Sequence, residues 1–157
     1  HALVVQAAVG SSFLVHLAGY TVILAALAAL GEPLHLGRLP LALFLLVPLL
    51  FLAIGVAEVL AALQTLLKDV EQVVSILLMV AFYGTPILYP LSLVPPPFAD
   101  WMAWNPLAAL MERIRDVLIE GQGLAVSDAG FWLAGIAAWW AGHAFFERVS
   151  PHFEDFL

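Results

Sequence analysis

Cysteine is absent from the 157 residues, which removes disulfides, thiolate metal sites and cysteine nucleophiles from this chain. Charge is scarce as well, with five Lys and Arg against twelve Asp and Glu, 11% of the sequence in all. Soluble domains carry about a quarter charged residues, and nucleic-acid binding needs a basic stripe that displaces counterions, for which five bases do not suffice. Nor is there a Gly-rich phosphate loop ending in Lys-Ser/Thr, a His-Glu-x-x-His helix or a Gly-x-Ser-x-Gly elbow, so P-loop ATP binding, zincin chemistry and the serine-hydrolase elbow find no support. What is present is apolar: 64% of residues, at a mean hydropathy of +1.03. A chain of this size cannot hide that much Leu, Ala and Val in one water-facing globule. The expected fold class is all-α, a polytopic membrane helical bundle with the bilayer as solvent.

Charge-free runs place the spans. The first covers about residues 2–30, longer than the roughly 20 residues a bilayer requires, and implies tilt or an interfacial end. Its stretch lacks the basic flank of a secretory signal, and the start at His1 without Met reads as a truncated beginning, making the span count a minimum. Ser12, His16 and Tyr20 recur at i, i+4 and i+8, and the face they share is expected to look inward and form interhelical hydrogen bonds. Gly31 to Pro40 reads as a polar turn. The second span covers about 41–63, with Pro48 inside it and Glu58 near its far end, where Glu58 is expected to snorkel or pair with Lys68. Lys68-Asp69-Val70-Glu71 makes a tight connection to a third span at about 72–90, and the fourth covers about 130–146.

The third span is where the pattern fails. No charged side chain occurs between Glu71 and Asp100, yet Gly84, Pro86 and Pro90 interrupt the run. In hydrocarbon, each backbone group freed by such a break needs a protein partner or a wet cavity, so the break marks a buried or path-lining place. Beyond Pro95-Pro96-Pro97, the stretch from Phe98 to Trp104 is too short to cross. Asn105 and Pro106 then form an N-cap and first-turn pair. Leu107, Leu110, Met111, Ile114, Val117 and Leu118 fall on one helical face, with Glu112, Arg113, Asp116 and Glu120 on the other; Glu112 with Arg115 and Arg113 with Asp116 are the expected i, i+3 pairs, and Gly121 is the stop. The whole of 96–121 reads as a re-entrant or interfacial hairpin. Intramembrane catalysis needs paired ionisable groups, and the candidates at depth, His16, Glu58 and His143, have no neighbour at ligand spacing in the sequence.

The runs Leu60-Ala61-Ala62-Leu63-Gln64, Lys68-Asp69-Val70, Pro86-Ile87-Leu88-Tyr89-Pro90-Leu91, Asn105-Pro106-Leu107, Arg115-Asp116 and Phe153-Glu154-Asp155-Phe156-Leu157 together resemble the ABC-2 type permeases that export lipid-linked polysaccharides, among them the O-antigen, capsule and teichoic-acid exporters. The resemblance runs over nearly the whole chain and corresponds to the C-terminal two thirds of such a permease. It implies a single transmembrane domain over 1–157, in a six-span, homodimeric subunit of the bacterial cytoplasmic membrane. ATP and Mg would be bound by a separate ATPase subunit, with no cofactor or metal in this chain. It also places Lys68, Asp69 and the tail on the cytoplasmic side and residues 91–130 outside, where the family has gate helices. By the same resemblance, Phe82, Tyr83, Tyr89, Trp101 and Trp104 become candidates for stacking on sugar rings, beside Pro86, Pro90, Asn105 and Pro106 at the gate. Glu58, Lys68 and Asp69 become cytoplasmic-side ion-pair candidates, and Glu112, Arg115 and Asp116 the gate-helix charges. Lys68 stands in place of the family's Arg and Glu58 in place of an apolar residue; the first change keeps charge but loses the planar fork, which puts an ion-pair role there in doubt.

The function so implied is export of a lipid-linked glycan, with the partners being the ATPase, a second permease copy, the glycan and membrane lipid, and no nucleic acid. Three alternatives stand beside it: an ABC-2 exporter of drugs or small amphiphiles, an intramembrane enzyme acting on a lipid carrier, and a purely structural subunit.

Overall fold

The computed structural model describes residues 2–67, 69–85 and 91–151. Among them the regular structure is helical: α1 (Ala2–Ala29), α2 (Leu39–Leu66), α3 (Val70–Tyr83), α4 (Phe98–Ala103), α5 (Pro106–Leu118) and α6 (Asp128–Val149), with short 3-10 turns at Leu36–Arg38 and Leu91–Leu93. The all-α expectation is met. By length and composition, α1 and the segment Leu36–Leu66 are each long and apolar enough to cross a membrane. The expected third span is shorter as a helix than the charge-free run suggested. It ends at Tyr83 after 14 residues, about 21 Å of rise against a hydrocarbon core of about 30 Å, and 86–90 lie outside the described residues.

α2 and α6 form the seam of the molecule. Ideal side chains built on three glycines would collide with the facing backbone. A Cβ on Gly142 would come 2.1 Å from the Gly55 carbonyl oxygen, one on Gly55 2.3 Å from that of Ala138, and one on Gly135 2.5 Å from that of Pro48. Small residues permit this approach, and in lipid, where apolar contact by itself gains little, close backbone packing is a principal source of helix association. Beside the glycines, Trp132 meets Phe44 at 4.7 Å between centroids and Trp139 meets Phe51 at 5.8 Å. Residue numbers rise together along both helices, so α2 and α6 run parallel. α1 lies antiparallel to α2, since Ala2 clusters with Ala62 and Leu24 with Ala42 and Leu45.

A parallel pair needs a return path. The chain leaves α2 at Leu66 and re-enters beside its first half at Asp128, so α3 and the segment after it carry the backbone the length of α2 in the opposite direction. The amphipathic face read from the sequence is the face that docks: Leu110, Ile114, Val117 and Leu118 of α5 bury against Leu24, Ala42 and Leu45, near the turn between α1 and α2. This hairpin helix is therefore covered by protein along its apolar stripe. Its end is tied to the turn by the His35 N–H, which donates to the Leu118 carbonyl at 2.8 Å. Gly121 follows with φ +71, and a Cβ there would press on the His35 ring at 2.7 Å; both facts call for glycine. Most large apolar side chains of α1 and α3 stay exposed, the pattern of helices whose surroundings are lipid or other helices.

The seam predicts a contrast. Gly142→Ala forces backbone apart and is expected to cost about 1–3 kcal/mol, whereas Gly19→Ala, with open space at its Cβ, leaves stability unchanged or slightly higher. Thermal unfolding in detergent, followed by tryptophan fluorescence, separates the two.

Candidate functional site

The site centres on the break after α3. The Gly84 N–H still closes the helix on the Val80 carbonyl at 2.8 Å, and the Gly84 carbonyl, past the last residue of α3, is met from a remote part of the chain. Asn105 supplies the partner. Its Nδ2 donates to the Gly84 carbonyl and to Thr85 Oγ1, both at 3.0 Å, while its Oδ1 accepts from the Leu107 N–H at 2.9 Å. One side chain thus caps the start of α5 and the end of α3 at once, across twenty-one residues of sequence. Thr85, beside it, is buried. Pro106 at the first helical position removes a donor that would have had no intrahelical acceptor.

The far end of α5 is held by Arg113. Its Nε donates to Asp128 Oδ1 at 2.6 Å and its Nη2 to Oδ2 at 3.0 Å, a two-point pair with both side chains buried. The same guanidinium also donates to Gln122 Oε1 at 3.1 Å and to the Gly123 carbonyl, and Asp128 Oδ2 accepts from the Ala125 N–H at 2.8 Å. The loop 121–127 is wrapped around this pair. Expectation and structure differ here: Arg113 was assigned to the exposed face with Asp116 as its i, i+3 partner, but it is buried and bonds to Asp128. The charges follow from that geometry. The hydrogen bond from Arg113 holds the Asp128 carboxyl below its ordinary value, and the same bond raises the Arg113 guanidinium. Burial, then the charge of Glu120, raises Asp116. The expected Glu112–Arg115 pair is present at 2.6 Å, partly buried.

The aromatic candidates divide. Phe82 and Tyr83 meet edge to face at 5.5 Å, at the end of α3. Trp101 and Trp104, on and just after α4, project outward at 78% and 90% exposure, with Phe98 also exposed. Pro86, Tyr89, Pro90 and Lys68 lie outside the described residues, and Asp69 is exposed at the start of α3. Between α1, α2 and α5 lies a cavity of about 740 Å³, lined by Ser12, His16 and Tyr20 on one side and by Leu49, Met111 and Ile114 on the other. The polar stripe of α1 thus faces this space. His16 Nδ1 pairs with the carbonyl of Ser12 in its own helix at 2.7 Å, in place of the interhelical bond expected.

Glu58 departs furthest from its expected place. It is fully buried, accepts from Gln6 Nε2 at 2.8 Å and lies 3.2 Å from His143 Nδ1. The snorkelling reading is corrected: the helix turns this carboxyl into the meeting point of α1, α2 and α6. His143 and Glu58 do have a neighbour, eighty-five residues away, which no local spacing reveals. A signal was present in Gly135 and Gly142, whose heptad-like spacing marks the face of α6 that meets Gly55 in the close seam.

A model of the ABC-2 type transporter family matches residues 2–119. An O-antigen export system permease protein RfbA of Klebsiella pneumoniae is 29% identical over 103 residues, covering 66% of this chain and 40% of that protein. One of Myxococcus xanthus is 29% identical over 106 residues, at 65% and 40%. The chain thus spans about two fifths of the length of these relatives. The matched family range contains the whole of α1 to α5 and stops before α6.

Two outcomes follow from the polar contacts. Asn105→Ala unties both helix ends and is expected to lower stability by about 1–2 kcal/mol, read by thermal unfolding, with faster amide exchange at Leu107. Asp128→Asn leaves Arg113 buried without its counter-charge, at about 3 kcal/mol. Because the folded Asp128 carboxyl titrates below the ordinary 3.8, the pair's contribution is complete above that value and is lost as pH falls through the depressed one. An acid titration of unfolding should show this loss in the wild type and not in Asp128→Asn.

Proposed function

Because the chain belongs to the ABC-2 type transporter family, we propose that it forms the membrane-embedded path of an ATP-driven exporter of lipid-linked polysaccharide in the bacterial cytoplasmic membrane. ATP hydrolysis would take place in a separate partner subunit, and a second permease copy would complete the assembly. The family makes this a transport component; the glycan comes from the relatives, each of whose names states O-antigen export. The observation that carries the reading is the broken α3 bridged by Asn105 to α5, because an interrupted apolar helix whose freed carbonyl is met by the next element is what a path-lining segment requires in lipid. The parallel seam of α2 and α6 supports a return of the chain between them, of which α3 is the described helical part. α6, at 22 residues or about 33 Å, suits the hydrocarbon thickness.

In this reading residues 96–121 cap the path on the outer face, and Trp101 and Trp104 with Phe98, Phe82 and Tyr83 offer flat surfaces to CH-rich sugar rings. Such contacts are individually weak, as passage of a polymer demands. Glu112, Arg115 and Asp116 keep the outer face of α5 polar. The enzyme alternative gains the Glu58–His143 pair that it lacked, but a carboxyl with no exposed surface does not reach a substrate, which favours transport.

Deletion of the gene in a host that makes surface glycan is expected to abolish surface polymer and leave a cytoplasmic pool of lipid-linked chains. The joint variant Trp101→Ala, Trp104→Ala should restore expression and ATPase binding but return export several-fold below wild type, on the order of the 0.5–1.5 kcal/mol scale of aromatic contacts. Normal surface polymer in the deletion strain would refute the proposal. Dye efflux without a glycan phenotype would assign the chain to drug export.

A further inference from the structure

Glu58 is the only charged side chain between residues 39 and 67, and it sits at 0% exposure where three helices meet. Its Oε1 carries both contacts, the amide of Gln6 from α1 and Nδ1 of His143 from α6. Its Oε2 is buried and has no hydrogen-bond partner among the described residues. An ionised carboxylate in this place would leave a charge-bearing oxygen in an apolar seam without a donor, the costliest way to bury a polar group. A neutral acid asks for less. With the proton on Oε1 and directed at His143 Nδ1, the same oxygen still accepts from Gln6, and Oε2 becomes a plain carbonyl, the group whose under-satisfaction proteins tolerate best.

His143 is placed to connect this acid with the outside. Its Nδ1 faces Glu58 while 39% of its side chain is exposed, and stacking on Trp139, at 6.1 Å and 17° between planes, holds the ring orientation. We propose that Glu58 and His143 form a protonation site inside the helical unit, with one proton stored at Glu58 and exchanged through the His143 ring. In the exchange, the Oε1–H bond breaks as Nδ1–H forms, and the ring passes its Nε2 proton to a water molecule reaching its exposed edge; a carboxylate and a neutral imidazole remain, and the net charge of the pair goes from 0 to −1. Among the described residues, the surrounding charges do not compensate it. Residues 2–29 of α1 contain no charged side chain, α2 adds only Glu58 itself, and α6 brings Asp128, paired with Arg113 at its far end, and Glu147 and Arg148, both exposed, beyond His143. Glu71 of α3 lines a separate cavity with Leu60 and Gln64. Release of the proton therefore places an unbalanced charge at the joint of α1, α2 and α6, and proton occupancy sets how firmly the three helices hold together.

The site requires that the helices be embedded in a membrane and does not depend on what the transporter carries. Its test is correspondingly independent of export. Infrared spectra of the full-length subunit in lipid nanodiscs at neutral pH should show a protonated-carboxyl C=O band that shifts on ¹³C-glutamate labelling, moves in D₂O and is lost in Glu58→Gln. In His143→Phe the band should persist at higher frequency, freed of its acceptor, and its hydrogen–deuterium exchange should slow by on the order of tenfold or more. That frequency shift identifies the band even where Glu58→Gln fails to fold. Absence of a label-sensitive protonated-carboxyl band in the wild type, its survival in Glu58→Gln, or unchanged exchange in His143→Phe would each overturn the proposal.

Discussion

The backbone contact of Gly55 with Gly142 sets the course of the rest of the chain. Two helices in the same direction at that distance cannot be joined by a short turn, so the chain has to come back along α2 before α6 begins. α3 supplies the apolar part of that return and ends at Tyr83, and the hairpin of α4 and α5 brings the backbone to the start of α2, where Leu110, Ile114 and Val117 find their core. The seam also explains where Glu58 ends up. Once α6 lies against α2 in this register, the carboxyl one turn beyond Gly55 has no route to an interface and meets His143 and, from α1, Gln6.

A second constraint acts at the break. A helix stopped inside an apolar run exposes carbonyls, and with no water in hydrocarbon to donate to them the chain must provide donors of its own. The Asn105 amide provides one, reaching two acceptors while its oxygen starts the next helix. Arg113 does similar work for the loop before α6, holding a carboxylate, a side-chain amide and a backbone carbonyl together. Both residues are short-range polar anchors that let an irregular segment sit between apolar helices. The exposed tryptophans near α4 lie next to these anchors and not within them, which leaves their faces free for a passing ligand in the transport reading.

Much of the secondary structure was legible beforehand because it is written in local terms. The charge-free runs gave α1 and α2 to within a few residues, the Asn105-Pro106 pair gave the start of α5, and the spacing of its leucines gave the face that is buried. The end of α3 was less accessible, since composition continues unchanged past Tyr83 while the helix does not. The pairing of Arg113 and the burial of Glu58 were misread for one reason. Nearest-neighbour rules offer Asp116 to Arg113 and an interfacial place to Glu58, but Asp128 and His143 arrive from α6 and are visible only after helices have been placed side by side. Of the residues singled out for the path, Asn105 and Pro106 have contacts that account for their chemistry, and Trp101 and Trp104 stand out by their exposure.

Hydrophobicity and helical period are properties of a segment, and through them the amino-acid sequence alone determined that this is an all-helical membrane chain with an amphipathic helix before the last one. Which helices touch, in which direction, and with which polar side chains trapped between them was decided by tertiary structure. Those outcomes depend on distances between atoms remote in the chain, and a glycine, a glutamate or an arginine takes its meaning from the neighbour that packing delivers.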